Sequence, residues 1–276
     1  MKSNPVVSIC IPTFNQTKFL KKSLDSILRQ TFSDYELIIS DDSSTDDVEK
    51  LINEYQLKFN DKLKYYKNKP ALGAPENWNH AISKASGSWI KIMHHDDWFC
   101  ENHALEKMMH IAIQNPNAFI FSGIKGFIIN ENRKYVNFPN NKQLEVIKST
   151  PFDLIWGNIV GPPSTILFPK MNIAFDKSLI WLVDIEFYLQ LLIKQKMDII
   201  FIEEVFLENQ TDTHNITNQC FQNKVIELKE FNYIFNKYYP KASILQRVLF
   251  LIKFKKHLSS YTKSNYMELI IANLKK

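Results

Sequence analysis

Two adjacent carboxylates, Asp96 and Asp97, follow an apolar run in the stretch KIMHHDDWFC, residues 91–100. Neighbouring like charges repel each other and cost free energy unless a cation, hydrogen-bond donors or open solvent compensates them. Mg²⁺ and Mn²⁺ prefer one or two carboxylates together with phosphate oxygens of a substrate. The pair therefore indicates a divalent metal beside a diphosphate, and a solvated turn or helix cap is the alternative.

Other side chains could take part in the same chemistry. His94 and His95 come directly before the carboxylates, but side chains alternate along a strand, so the two rings cannot readily face one ion. His214 lies in the polar stretch TDTHNIT, and Asp184 lies where a helix is predicted to begin. Surface exposure of His214 and helix capping by Asp184 are the alternatives to a functional role.

The elements that position these residues alternate between strands and helices. Continuous apolar runs predict strands at VVSICI (6–11), YELIIS (35–40), LKYY (63–66) and SWIKIM (88–93). Asn15 or Thr17 is expected to cap the first helix. Apolar residues recur at helical spacing in four sets: Leu20, Leu24, Ile27 and Leu28; Val48, Leu51, Ile52 and Tyr55; Trp78, Ala81, Ile82 and Ala85; Leu105, Met108, Met109 and Ala112.

Three or four such units predict a mostly parallel sheet with helices on both faces. Sheets of this kind bind ligands outside the carboxyl ends of their strands. Three polar clusters follow predicted strands: PTFN (12–15), DDSSTD (41–46) and HHDDW (94–98). We therefore expect the three clusters to face one crevice.

The pattern changes after about Ala118. Alternation there predicts two strands joined by a glycine-containing turn, and residues 157–170 read as a loop that leads into a short strand. A helix is predicted after WLVD, from the spacing of Ile185, Leu189 and Leu192.

The organisation of the chain follows from these patterns. We expect one domain over residues 1–220, made of two halves at about 1–117 and 118–220. Residues 221–276 are expected to form a helical, basic region. Its segment ILQRVLFLIKFKKHL (244–258) could lie on an anionic membrane surface or pack against the domain.

Composition excludes several classes of protein. The chain of 276 residues is 45% hydrophobic with a net charge of +5, which suits a globular protein and calls for no nucleic-acid partner. Its three cysteines lack CxxC spacing, which argues against a zinc knuckle or a disulfide framework. It has no GxGxxG or GxxxxGK[ST] phosphate loop. No signal segment or spanning helix is predicted, so we expect a cytoplasmic location, with peripheral contact at the inner face of the membrane if the basic segment binds lipid.

Four segments occur in a fixed order: VSICIPTFN (7–15), SLDSILRQTFSDYELIISDDSSTD (23–46), LGAPENWNHAISKASGSWIKIMHHDDW (72–98) and LVDIEFYLQL (182–191). Together they resemble the family 2 glycosyltransferases, inverting enzymes of the GT-A fold, over roughly residues 5 to 215. The resemblance implies an α/β fold, with a Rossmann-like, mostly parallel sheet covered by helices on both faces and a helical C-terminal extension.

The resemblance also implies roles for individual residues. Asp97 would hold a divalent metal, Mn²⁺ or Mg²⁺, with His214 beside it, and Asp184 would be the general base. Nucleotide contacts are implied for Pro12, Thr13, Phe14, Asn15, Asp42, Asn77 and Asp96. Positions around the donor sugar and acceptor are implied for His94, His95, Trp98, Pro162, Pro163 and Ser164.

Three of these positions either have an alternative role or depart from the family pattern. Phe14 would lie near the base, and a packed aromatic is the alternative. Asn77 stands where many relatives carry an Arg for the diphosphate, and an amide cannot replace that charge. His94 stands where the family commonly has an Asp, which leaves the number of carboxylate ligands open.

The implied reaction moves a sugar from a nucleotide-sugar donor, UDP- or dTDP-linked, to a hydroxyl of a glycan or lipid-linked acceptor. It would be a metal-assisted single displacement that inverts the anomeric centre. A nucleotidyltransferase or sugar-nucleotide pyrophosphorylase is one alternative, although PTFNQT lacks the glycines such enzymes ordinarily show. A non-catalytic module that binds nucleotide sugars is another, although the paired acids and Asp184 are all present.

Overall fold

The computed structural model describes residues 5–211, 223–241 and 243–257. These residues form a nine-stranded sheet with helices on both faces. The strands are β1 (Val7–Thr13), β2 (Tyr35–Asp41), β3 (Leu63–Lys67), β4 (Trp89–Ile92), β5 (Asp97–Phe99), β6 (Ala118–Ile128), β7 (Arg133–Asn137), β8 (Ile166–Pro169) and β9 (Asp198–Thr211). The α-helices are α1 (Lys18–Leu28), α2 (Asp47–Phe59), α3 (Glu76–Ser83), α4 (Ala104–Gln114), α5 (Asn141–Ser149), α6 (Val183–Leu189), α7 (Lys224–Tyr238) and α8 (Ile244–His257).

The first four strands form a parallel half-sheet in the order β3-β2-β1-β4, as the sequence predicts. Alternation along β1 sends Ile9 and Ile11 to one face and Cys10 to the other, and each face has its own buried cluster. Helices α1, α2 and α4 cover the first face, and α3, α6 and α7 cover the second. The four predicted helical sets are buried, except that Leu28 and Trp78 are only partly so.

Helix α1 begins without the predicted side-chain cap. Thr17 precedes the helix, but its side chain makes no capping hydrogen bond. Asn15 has a φ of +48°, and its side-chain oxygen accepts a 2.9 Å hydrogen bond from the backbone N–H of Ser44. The capping prediction was wrong because Asn15 instead connects two loops at the carboxyl ends of β1 and β2.

The second half of the sheet is mixed. Strands β4 and β8, β8 and β6, and β9 and β5 pair antiparallel, whereas β6 and β9 pair parallel across register shifts near Gly123. The predicted β6-β7 pair is present, but the turn at residues 129–132 contains no glycine. Asn132 takes the positive φ there, +48°, which short amide side chains tolerate, so the predicted glycine turn was wrong.

Helices α7 and α8 pack on the second face of the sheet. Phe231 and Ile234 of α7 and Phe250 and Phe254 of α8 are buried in the cluster that also holds α3 and α6. The opposite side of α8 is exposed and apolar, at Ile244, Leu245, Val248, Leu249 and Ile252. Within the described ranges, no helix has the length and apolar character needed to cross a bilayer.

Candidate active site

The loops after β1 and β2 are joined at the carboxyl edge of the sheet. The backbone N–H of Asp42 donates to the carbonyl of Thr13 at 3.0 Å. The backbone N–H of Asn15 donates to Ser43 Oγ at 2.7 Å, and the Asn15 side chain accepts from Ser44. The third cluster meets the first where His95 Nδ1 lies 3.4 Å from the carbonyl of Pro12. The prediction that the three polar clusters share one crevice is therefore confirmed.

Asp42 is buried in this crevice and both of its carboxylate oxygens are engaged. Asn68 Nδ2 donates to Oδ1 at 2.7 Å, and the backbone N–H of Gly73 donates to Oδ2 at 2.7 Å. Asn68 Nδ2 also donates to Asn77 Oδ1 at 3.1 Å, while Asn77 Nδ2 donates to the Thr13 carbonyl at 3.2 Å. The buried Asn77 side chain thus fixes the end of β1 through its hydrogen bond to the Thr13 carbonyl.

Two groups at the end of β1 are available to a ligand. Phe14 is 55% exposed, so the alternative of a packed aromatic was wrong. Thr13 Oγ1 is buried and has no hydrogen-bond partner in the described part of the chain. Buried hydroxyls are ordinarily hydrogen-bonded, and an exposed ring offers a stacking surface, so both features suit a bound nucleoside.

The carboxylate pair follows β4 at the same edge. Ligand atoms of His94, Asp96 and Asp97 all lie within 4.8 Å of one another. Burial and the nearby charge of Asp96 raise the pKa of the Asp97 carboxyl, while hydrogen bonds from Ser164 and Asn209 oppose that rise. Burial also lowers the pKa of the His94 imidazole, which favours its neutral form. A divalent cation would stabilise the ionised pair, so the donor set fits such an ion.

A lysine that the sequence analysis did not single out lies beneath this pair. Lys91 is fully buried in β4, and its Nζ donates to the backbone carbonyls of Ser164 and Ile92. Burial lowers the pKa of Lys91 to about 7, and the attraction of Asp97 opposes that shift. A lysine in the middle of the apolar run SWIKIM is the signal that could have identified it.

One loop reaches both groups of acidic residues. Ser164 Oγ accepts a 2.8 Å hydrogen bond from the His94 backbone N–H, next to the carboxylate pair, and the Ser164 carbonyl accepts from Lys91 Nζ. At the other end of this loop, Asn158 Nδ2 donates to Asp184 Oδ2 at 2.8 Å. We call residues 158–164 the bridging loop. It includes Pro162 and the buried Pro163, which begins a 3₁₀ turn ending at Thr165.

Asp184 lies in the first turn of α6 and is not its N-cap, which is Leu182. Its Oδ1 nevertheless accepts a 2.8 Å hydrogen bond from the Ile185 backbone N–H, so Asp184 satisfies a donor of the first turn without standing at the N-cap position. Burial raises the pKa of Asp184 to about 6, and hydrogen bonds from the Ile185 backbone N–H and from Asn158 oppose the shift. Burial is the main cause that raises the pKa of the Tyr188 hydroxyl, and the charges of Asp184 and Asp97 raise it further. The two carboxylates thus affect the pKa of the same buried hydroxyl. A carboxyl with this pKa is mostly ionised at pH 7 and can accept a proton.

Helix α7 holds the segment that leads into Asp184. The buried Glu230 carboxylate accepts hydrogen bonds from the backbone N–H groups of Ile180 at 2.6 Å, Trp181 at 3.1 Å and Leu182 at 2.8 Å. A second link joins Lys237 of α7 to the buried Glu186 of α6, with Nζ 2.7 Å from Oε1. Glu230 gave no signal in the sequence, because its partners are backbone groups about fifty residues away.

One predicted residue, Trp98, lies elsewhere. The Trp98 ring packs against α1, stacked 6.4 Å from Phe19 with Lys22 Nζ 4.5 Å from its centroid. Strand alternation directs Trp98 to the opposite side from its buried neighbour Asp97. His214 lies outside the described residues.

Comparison with known proteins agrees with this geometry. A family model described as Glycosyl transferase family 2 matches residues 8–226. GalNAc(5)-diNAcBac-PP-undecaprenol beta-1,3-glucosyltransferase of Campylobacter jejuni is 37% identical over 94 residues, which are 34% of this chain and only 30% of that protein.

Solved structures share the fold. Staphylococcus aureus TarS 1–349 in complex with UDP-GlcNAc has a TM-score of 0.68 at 16% identity, covering 94% of this chain and 74% of that one. Mannosyltransferase PcManGT of Pyrobaculum calidifontis, in complex with GDP-Man and Mn²⁺, has a TM-score of 0.61 at 12% identity, covering 98% and 75%. The GT-A fold implied by the sequence motifs is thereby confirmed. Since the family model also spans most of the residues, the chain belongs to glycosyl transferase family 2.

Proposed function

We propose that the protein is an inverting glycosyltransferase that moves a sugar from a nucleoside-diphosphate sugar to an acceptor hydroxyl. The observation that carries the proposal is the bridging loop, where Ser164 Oγ accepts from the His94 backbone N–H beside the carboxylate pair and Asn158 donates to Asp184. A leaving diphosphate and an attacking hydroxyl lie on opposite sides of one anomeric carbon in a single displacement. The two ends of one short loop, one beside the carboxylate pair and one on Asp184, suit those two positions.

The donor binds in residues 1–117 in this proposal. Phe14 stacks on the base, and Thr13 and Asn15 border the nucleoside. Asp42 contacts uracil or ribose while its own position is fixed by Asn68 and Gly73. Support for a UDP or dTDP donor comes from the UDP-GlcNAc complex of TarS, which shares the fold.

The diphosphate side of the donor uses the carboxylate pair. Asp97 holds Mn²⁺ or Mg²⁺ and Asp96 lies nearer the ribose and diphosphate, with His214 as a further contact. When bound, the cation stabilises the negative charge that develops on the departing diphosphate. PcManGT, whose solved complex contains Mn²⁺, supports a metal of this kind. Burial lowers the pKa of the nearby Lys91, and the Asp97 charge favours the protonated form of that lysine.

Asp184 acts on the acceptor side, in residues 118–220. Its carboxylate takes the proton of the acceptor hydroxyl as the oxygen attacks the anomeric carbon. The bond from that carbon to the diphosphate oxygen breaks on the opposite face, and the configuration inverts. The proton needs to move only late, when the attacking hydroxyl has become acidic, so an aspartate suffices. His94, His95, Pro162, Pro163 and Ser164 border the sugar and acceptor in this proposal, whereas Trp98 packs against α1 and has no part in it.

The acceptor in this proposal is a glycan or lipid-linked sugar of cell-surface polysaccharide synthesis. The undecaprenol-linked substrate in the name of the C. jejuni relative supports a lipid-linked acceptor. We place the protein in the cytoplasm, with the exposed apolar side of α8 on an anionic membrane surface. Residues 241–276 carry eight Lys and Arg against one Glu, so their charge complements acidic lipids.

The membrane contact is tested by sedimentation with vesicles. We expect vesicles with phosphatidylglycerol to retain the protein, and pure phosphatidylcholine vesicles to retain much less. Leu245→Gln with Leu249→Gln should abolish retention, whereas Leu57→Gln on the exposed side of α2 should not. Equal retention of the wild type and both variants would show that the exposed side of α8 does not bind the membrane.

The central experiment incubates the protein with a panel of nucleotide sugars and follows release of the nucleotide. We expect one of the donors to release UDP or dTDP when Mn²⁺ is added. A chelator should stop this release. Formation of a nucleoside triphosphate from pyrophosphate and the donor would indicate a pyrophosphorylase instead. Binding without turnover across the panel, with acceptors present, would indicate a non-catalytic module.

A further inference from the structure

His94 has a defined environment between two elements. Its ring centroid lies 4.5 Å from that of Trp78 in α3, and its backbone N–H donates to Ser164 Oγ at 2.8 Å. These contacts hold the ring in place without using its nitrogens. Nε2 is buried and has no hydrogen-bond partner in the described parts of the chain. A buried polar atom of this kind costs free energy unless something binds at the ring.

The carboxylates supply the rest of a possible coordination set. One ring nitrogen of His94 and one oxygen each from Asp96 and Asp97 lie within 4.8 Å of one another. Bonds to a first-row divalent ion are about 2.0–2.2 Å long, so opposite ligands lie roughly 4 Å apart. Small side-chain shifts would therefore bring all three atoms onto one ion.

We propose that His94 is a metal ligand, together with Asp96 and Asp97, and that it makes the site select Mn²⁺ over Mg²⁺. The inference rests on the proposed function, which places a metal at Asp97, and adds His94 and Asp96 as ligands of that ion. Mg²⁺ favours a shell of oxygens, whereas imidazole nitrogen suits transition metals. An Asp at position 94, common in the family, would supply an oxygen instead.

The bound ion can be tested without measuring turnover. Mn²⁺ is added with UDP, and pulsed electron paramagnetic resonance detects coupling of the ion to a directly bound imidazole ¹⁴N. We expect this coupling in the wild-type protein, in His95→Ala and in His214→Ala, and its loss in His94→Asp. Circular dichroism and the melting temperature without metal show that each variant folds.

Affinity gives a second readout. We expect His94→Ala to weaken Mn²⁺ binding by about ten- to a hundredfold, at least the loss seen when an outer-shell partner is removed. His94→Asp should restore affinity for Mg²⁺ and lower the ratio of Mn²⁺ to Mg²⁺ affinity. The Asp at position 94 keeps the number of protein ligands at three. The variant therefore tests only the replacement of a ring nitrogen by an oxygen.

The outcomes separate this inference from the function it rests on. Nitrogen coupling that survives in His94→Asp, or disappears in His214→Ala alone, would overturn the role of His94 while leaving a metal at Asp97. An unchanged affinity ratio in His94→Asp would do the same. If Mn²⁺ binds equally to wild type and Asp97→Asn, both the inference and the proposed metal site fail.

Discussion

Asn158 donates a 2.8 Å hydrogen bond to the Asp184 carboxylate, and its side-chain oxygen accepts from the backbone N–H groups of Val160 and Gly161. One amide therefore fixes the bridging loop and orients the proposed base. Because the amide N–H favours the charged carboxylate, it also keeps the pKa of Asp184 from rising further above about 6.

Replacing Asn158 should change how the rate depends on pH. Only ionised Asp184 can accept a proton, so the rate should fall as the pH drops below about 6 in the wild type. Asn158→Ala removes a donor to the charged form, which raises the pKa and should move this acidic limb upward by about one unit. The ratio of kcat at pH 6 to kcat at pH 8 measures the shift and is unaffected by a uniform loss from loop disorder. If the acidic limb of the pH profile does not move, Asp184 is not the group that accepts the proton.

Asp184→Asn should remove the base while keeping its shape. We expect kcat to fall by about 10²–10⁴-fold, the usual contribution of a general base. Binding of UDP with Mn²⁺, measured by calorimetry, should stay near the wild-type value because the proposed function places Asp184 on the acceptor side. Asp47→Asn on the exposed surface of α2 is the matched control. Turnover close to wild type in Asp184→Asn would show that another group accepts the proton.

Glu230→Gln should affect catalysis from outside the site. Its carboxylate accepts from three consecutive backbone N–H groups before α6, and a glutamine has one acceptor oxygen in place of two. Leaving a buried donor unpaired costs about 1–3 kcal/mol. We expect a lower melting temperature and a lower kcat, with the donor KM little changed.

The control for this variant is Glu145→Gln, because Glu145 is exposed on α5 and its side chain pairs with Lys148 across the helix surface. It should leave both quantities unchanged. A drop in melting temperature without any change in kcat would mean that Glu230 supports the fold but not the position of Asp184.

Phe14→Ala should weaken nucleotide binding without unfolding the protein. The ring is exposed, so its loss removes little packing, whereas stacking on a base contributes about 1–3 kcal/mol. Calorimetry with UDP should show that loss, and Leu57→Ala, which removes another exposed apolar side chain, should not. Unchanged UDP affinity in Phe14→Ala would show that the uracil ring does not bind at Phe14.

The first half of the fold could be predicted because its signals are local. Val48, Leu51, Ile52 and Tyr55 are buried along α2 as their spacing requires. The strands before the polar clusters are parallel and fully buried, so they appear as continuous apolar runs. The same regularity brings the clusters together at one edge of the sheet.

The rest depended on contacts between distant parts of the chain. Strand β9 was not predicted, because it shifts register against β6 near Gly123 and its apolar pattern is therefore irregular. Strand β5 has only three residues and exists by pairing with β9. Lys91 and Glu230 bind backbone groups that only the folded chain brings to them, so their spacing in the sequence could not reveal them.

The link from Glu230 to the residues before Asp184 lies outside the part of the chain that identifies the family. The family model ends at residue 226, four positions before Glu230. A chain shortened there would keep Phe14, Asp42 and the carboxylate pair, yet Ile180, Trp181 and Leu182 would lose the acceptor of their N–H groups. Such a fragment would also lose the side chains of α7 and α8 that are buried on the second face of the sheet. The proposed base would then be positioned imprecisely on a weakened core, so the boundary of recognisable homology is a poor guide to the smallest active enzyme.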